Sequence, residues 1–68
     1  MFQKGDRVRY IGNDASMQGK EYDVQRINRG NIYIHLIARF LGKNPAFVEC
    51  EMPADDFELV RRGKRYGR

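Results

Sequence analysis

The stretch from Gly19 to Leu36, GKEYDVQRINRGNIYIHL, constrains this chain most, because it reads as two β-strands folded over a tight turn. Asn28-Arg29-Gly30-Asn31 concentrates residues that tolerate positive φ, and such residues permit the short loops whose twist matches flanking strands. Downstream, Ile32, Ile34 and Leu36 alternate with Tyr33, His35 and Ile37. This period of two puts the first three side chains on one face, the expected core face. Upstream, Tyr22 and Val24 alternate with Asp23 and Gln25, and Arg26-Ile27 breaks the phase, which predicts a bulge or strand end there.

The flanking segments read as further short strands. Gly5-Asp6 opens a strand over Arg7 to Ile11 that sets Val8 and Tyr10 on one face and Arg7 and Arg9 on the other. Residues 12–19 are rich in turn formers and predict a loop, and Gly42-Lys43-Asn44-Pro45 predicts a chain reversal. Ala46 to Met52 alternates with Val48, Cys50 and Met52 inward and Phe47, Glu49 and Glu51 outward, and Pro53 ends it because proline cannot donate to a ladder. Ala54-Asp55-Asp56-Phe57 fits a single 3-10 turn in which the aspartates cap, followed by a last strand over Glu58-Leu59-Val60. The rings of Tyr10, Tyr22, Phe47 and Phe57 are expected to supply much of a thin core, although the strand phase sets Phe47 outside or at the rim.

Five short strands, a long first loop, a hairpin and a 3-10 turn before the final strand resemble the small SH3-like β-barrel. The expected fold is therefore all-β: one five-stranded barrel over residues 1–60, then a basic, disordered tail over 61–68. Gly5, Asp6, Val8, Ile11, Gly19, Lys20, Val24 and Ile27 also resemble the KOW motif of ribosomal proteins and transcription elongation factors. The motif spans about a third of the chain, its first loop is longer here, and Tyr22 stands where the family keeps a glycine. The resemblance implies binding to RNA or to a protein of the transcription or translation machinery. Small barrels of this kind are also common as phage or plasmid accessory proteins.

Charge is unevenly distributed. Residues 1–60 hold eight Lys and Arg against all nine acids, whereas residues 61–68, RRGKRYGR, hold five Lys and Arg and no acid, so the basic balance belongs to the end of the chain. Cys50 is the only cysteine, so neither an internal disulfide nor a cysteine-based zinc site staples the core, and a homo-oligomer is a reasonable expectation for so small a domain. No run of about 20 apolar residues is present, so no membrane span and a soluble, cytoplasmic protein are expected.

Two surfaces are candidates for function. Arg61, Arg62, Lys64, Arg65 and Arg68 surround Tyr66, and Arg7 and Arg9 on the first strand are expected to meet Tyr33 and His35 on the third, with Arg29 in the hairpin turn. Cations that pair with phosphates beside aromatic rings that stack on bases make a site for RNA or single-stranded DNA. The alternative is a protein interface, or a self-association surface, built on exposed Ile37, Phe40, Leu41 and Phe47. Catalysis is not expected. His35 has no second histidine, Cys50 follows the buried phase, Ser16 has no base near it, and neither a metal nor a cofactor is called for. The barrel of plasmid-borne dihydrofolate reductases is similar in size. Its Val-Gln-Ile-Tyr stretch has no counterpart in Asn31-Ile32-Tyr33-Ile34-His35.

Overall fold

The computed structural model describes residues 1–38 and 44–63. The order along the chain is β1 (Arg7–Tyr10), β2 (Glu21–Asp23), β3 (Arg26–Asn28), β4 (Asn31–Ala38), β5 (Ala46–Pro53), a 3-10 turn (Ala54–Asp56) and β6 (Phe57–Arg61). The strands form two antiparallel three-stranded sheets, β2-β1-β6 and β3-β4-β5. The described residues are thus all-β with the expected 3-10 turn, but among them there are six strands instead of five, and their ladders do not close into a barrel.

The sixth strand comes from the segment that lost phase. Val24 still belongs to the first sheet: its N–H donates to Asp6 O at 2.9 Å, and Val24 O accepts the Gly5 N–H at 2.9 Å. One residue later Gln25 N–H donates to Tyr33 O at 2.8 Å, so the chain leaves one sheet and enters the other between Val24 and Gln25. Of the two expected outcomes, a bulge or a strand end, the break is a strand end: β2 stops at Asp23 and β3 starts at Arg26 in the other sheet. The β3–β4 hairpin then pairs Asn28 with Asn31 across Arg29-Gly30. The positive φ of this turn falls on Arg29, at 58°, and not on Gly30.

The core lies between the sheets. Val8, Tyr10 and Phe57 from one sheet, Ile32 and Ile34 from the other, Val24 at the crossover and Met17 from the first loop are all buried. Leu36, Cys50 and Met52 pack against them, as the alternation predicts, and so does Ile27, where the phase breaks. Phe57 makes T-shaped contacts with Tyr10 and Tyr22, ring centroids 5.3 and 6.3 Å apart, a favoured aromatic geometry. Phe47 does not join these rings. It is 71% exposed, and Met17 fills core space instead. The first loop can deliver Met17 because Asp14 organises it: the Asp14 carboxylate accepts the Ser16 N–H at 2.9 Å and hydroxyl at 2.6 Å, and Asp14 O accepts the Met17 N–H at 3.0 Å. In the 3-10 turn the N-cap is Pro53, with no side-chain capping bond, so the aspartates do not cap it.

Residues 61–63, the described part of the expected tail, make defined contacts. β6 runs through Arg61, which pairs with Arg7, and not to Val60. Arg62 and Gly63 then dock on Asp6, a carboxylate only 1% exposed. Asp6 accepts the Gly63 N–H and the Arg62 guanidinium, each at 2.8 Å, and the Gln3 N–H at 2.8 Å. Burial alone would push its carboxyl up. The N–H groups of Gly63 and Gln3, with Arg62, outweigh burial and lower its pKa from 3.8. Gly63 is required by contact, since a Cβ there would strike the backbone of Gly5. Both ends of the described chain are therefore clasped on one buried acid.

Candidate functional site

The expected basic and aromatic surface does not form. Arg7 and Arg9 point outward from β1, Tyr33 and His35 outward from β4, and these strands lie in different sheets. Each arginine also meets acids. Arg7 pairs with Glu21 at 3.2 Å and Asp23 at 3.0 Å, and Arg9 pairs with Glu21 at 3.1 Å and Glu58 at 2.8 Å. Register causes this, because β1 lies between β2, which sets Asp23 opposite Arg7 and Glu21 opposite Arg9, and β6, which sets Glu58 opposite Arg9. Hydrogen bonds from Arg7, then Arg9, hold the Glu21 carboxyl below its ordinary value, and both guanidinium pKa values are raised. A phosphate approaching this face meets an ion-pair ladder in place of free cations.

Tyr33 is similarly committed. The Arg26 guanidinium lies 3.9 Å from its ring centroid, covering the face on which a base would stack. Its hydroxyl donates to Glu51 at 2.8 Å, which raises the phenol pKa. Glu51 also accepts Asn31 Nδ2 at 2.9 Å and Asn28 Nδ2 at 3.0 Å, and Arg26 pairs with Glu49 at 3.1 Å. These bonds, Asn31's foremost and then Tyr33's, keep the Glu51 carboxyl below its ordinary value. This half of the outer face of the second sheet is a closed polar network.

The remaining expected cations are scattered. Arg62 is tied to Asp6 and to Met1 O, the latter at 3.0 Å. Arg29 sits at the hairpin turn on the rim of an open cleft of about 410 Å³ whose floor includes Phe2, Ile27, Ile32 and Phe57. Arg61 is exposed at the end of β6, and among the described residues neither it nor Arg29 has an ion-pair partner. Lys64, Arg65, Tyr66 and Arg68 lie outside the described residues, as do Phe40 and Leu41 of the expected apolar surface.

A different surface is well defined. The eight-residue strands β4 and β5 are longer than those of the opposite sheet, which have three to five residues. Their far ends run beyond its cover as an arm. Ile37 lies opposite Phe47 on the outer side of this arm, and Leu36 lies opposite Val48 on the inner side. Ile37 is 56%, Phe47 71% and Val48 40% exposed. His35 extends the outer patch, its ring 6.0 Å from that of Phe47 and tilted by 36°. Apolar groups are thus uncovered on both faces of one hairpin.

Ile37 and Phe47 are the expected residues of this surface, while Val48 escaped sequence reasoning because its phase is that of the core. Phase fixes which way a side chain points and cannot tell whether anything lies opposite. Cys50 is half-buried and has no second thiol. Among the described residues no group of three or more His, Cys, Asp or Glu is placed to hold a metal ion, and no helix is long and apolar enough to cross a membrane. The chain matches no protein-family model, no curated protein and no solved structure.

Proposed function

We propose that this chain is a non-enzymatic binding module that engages protein through the β4–β5 arm, with Ile37, Phe47 and Val48 as its contact residues. The exposure of Phe47 opposite Ile37, at the end of a hairpin that the other sheet does not cover, carries this reading. Large apolar side chains grouped in this way mark interfaces, where their burial contributes about 25 cal/mol per Å². The order of the elements supports placing the fold with SH3-like domains, in an open form. Affinity capture from the source cell compares the wild-type chain with Phe47→Asp and Tyr33→Phe. A protein held by the wild-type and Tyr33→Phe chains and lost by Phe47→Asp is the expected result. Identical capture by all three contradicts the reading.

A second reading rests on the chain's end. Exposed Arg61, without an acidic partner among the described residues, heads a stretch of five cations that contains no acid, which suits the phosphates of RNA or single-stranded DNA. Titration with a single-stranded oligonucleotide at two salt concentrations tests it. Binding at low salt that is lost when residues 64–68 are deleted supports it, and binding unchanged by the deletion contradicts it.

A further inference from the structure

The free side of β5 is an open sheet edge. Ala54 N–H donates to Gly30 O at 2.9 Å, and Asn31 pairs with Pro53 in the next register position. Hydrogen-bonded and non-hydrogen-bonded pairs alternate along an antiparallel ladder. Leu36–Val48, Ile34–Cys50 and Ile32–Met52 are therefore the hydrogen-bonded pairs between β4 and β5. The backbone groups of Phe47, Glu49 and Glu51 must point the other way, to the free side, where among the described residues no backbone group meets them. Natural edges of this length are protected by charged side chains, above all Lys, by a bulge or by an internal Pro; β5, AFVECEMP, has no Lys and only a terminal Pro53, and its Glu49 and Glu51 are tied to β3 and β4 side chains on the outer face. The unprotected edge coincides with the exposed side chains of Phe47 and Val48.

We infer that β5 pairs antiparallel with β5 of a second copy of this chain about a twofold axis at Val48, making one continuous six-stranded sheet. This deepens, and rests on, the reading of the arm as a protein interface. The strand's own charges select the register. An axis at Glu49 stacks Glu49 on its copy, and an axis at Cys50 sets Glu49 against Glu51, both like-charge pairs that oppose association. An axis at Phe47 avoids the clash but overlaps only Ala46–Val48. The axis at Val48 overlaps Ala46–Cys50 of both strands, sets Val48 on its copy and Ala46 opposite Cys50, and places each Phe47 opposite Glu49. It lets the edge groups of Phe47 and Glu49 bond across the axis. It is also closed, because a twofold contact uses each edge once and does not grow into fibres.

The single native cysteine makes the register measurable. Ala46 and Cys50 become a non-hydrogen-bonded pair with Cα atoms about 4.5 Å apart, within disulfide range. Under mild oxidation Ala46→Cys should yield a covalent dimer of twice the 8.0 kDa chain mass at least tenfold faster than Asn44→Cys or the native Cys50 alone, which report axes at Phe47 and Cys50. Sedimentation of the wild-type chain should show a dimer that Glu49→Pro, which removes an edge-facing N–H together with the exposed ion pair to Arg26, converts to a folded monomer. A wild-type chain that is monomeric at every concentration, or faster cross-linking at either control position, overturns the inference. If Glu49→Pro fails to fold, the cross-linking ratio alone decides. A monomer whose partner capture is still lost with Phe47→Asp would sink the dimer and leave the reading of the arm intact.

Discussion

The Asp6 clasp and the β4–β5 arm use their residues in opposite ways. At the clasp a buried charge is surrounded by donors that satisfy it, and glycine backbones touch where no side chain fits. At the arm large apolar side chains stand in water, and a row of backbone groups has no partner among the described residues. A buried carboxylate persists only where its hydrogen bonds are made, so the clasp is a device for stability. An uncovered apolar hairpin adds little to the stability of one chain. On the reading proposed above, its complement is a second molecule.

The contrast breaks first at Asp6. Asp6→Ala leaves the Gln3 and Gly63 N–H groups without their acceptor, and each buried donor left unsatisfied costs about 1–3 kcal/mol, while Arg62, half exposed, turns to water. Urea denaturation should show this as loss of a large fraction of the stability that a domain of this size holds.

Acid should act through the same group. The Asp6 pKa is lower in the folded chain, so its contribution is complete above the unfolded value near 3.8 and is lost as pH falls below that value through the folded one. Stability measured between pH 7 and pH 2 should fall in that window, and the fall should be shallower in Asp6→Asn. An equal fall in both would assign the acid sensitivity elsewhere.

Gly63→Ala is the next effect in size. The added methyl meets Gly5 backbone, and overpacking of this kind costs about 1–3 kcal/mol. Thermal unfolding of this variant should separate close contact from charge, since Asp6 is unchanged in it. Phe47→Asp should move the urea midpoint least, by no more than about 0.5 kcal/mol in stability, because the ring is exposed. A loss comparable to that of Asp6→Ala would make the arm structural and erase the contrast.

Local features of the fold were legible in the sequence. The alternation of Ile32, Ile34 and Leu36 gave the buried face of β4, and Asn28 to Asn31 gave the hairpin, because both depend on neighbours in sequence. Features that depend on remote pairing were not. Asp6 reads as part of a strand opening, yet its donors Arg62 and Gly63 lie 56 and 57 residues away. Arg7 and Arg9 read as a basic stripe because the acids that pair with them come from β2 and β6, and only register brings those together. The break in phase over Arg26-Ile27 marks the strand end that the structure shows, but that the chain also changes sheet there depends on which strands lie alongside. Phe47 carries two contrary signals, an aromatic ring that favours a core and a phase that points it out, and phase prevailed.

Amide hydrogen exchange, followed residue by residue in concentrated and diluted samples, tests the open edge most directly. The Val48 and Cys50 amides bond to β4 and should be protected at both concentrations. The Phe47 and Glu49 amides should be protected only in the concentrated sample and exchange freely on dilution. Protection of Phe47 and Glu49 that does not change with concentration would mean that the edge is already satisfied within one chain, and would contradict the account.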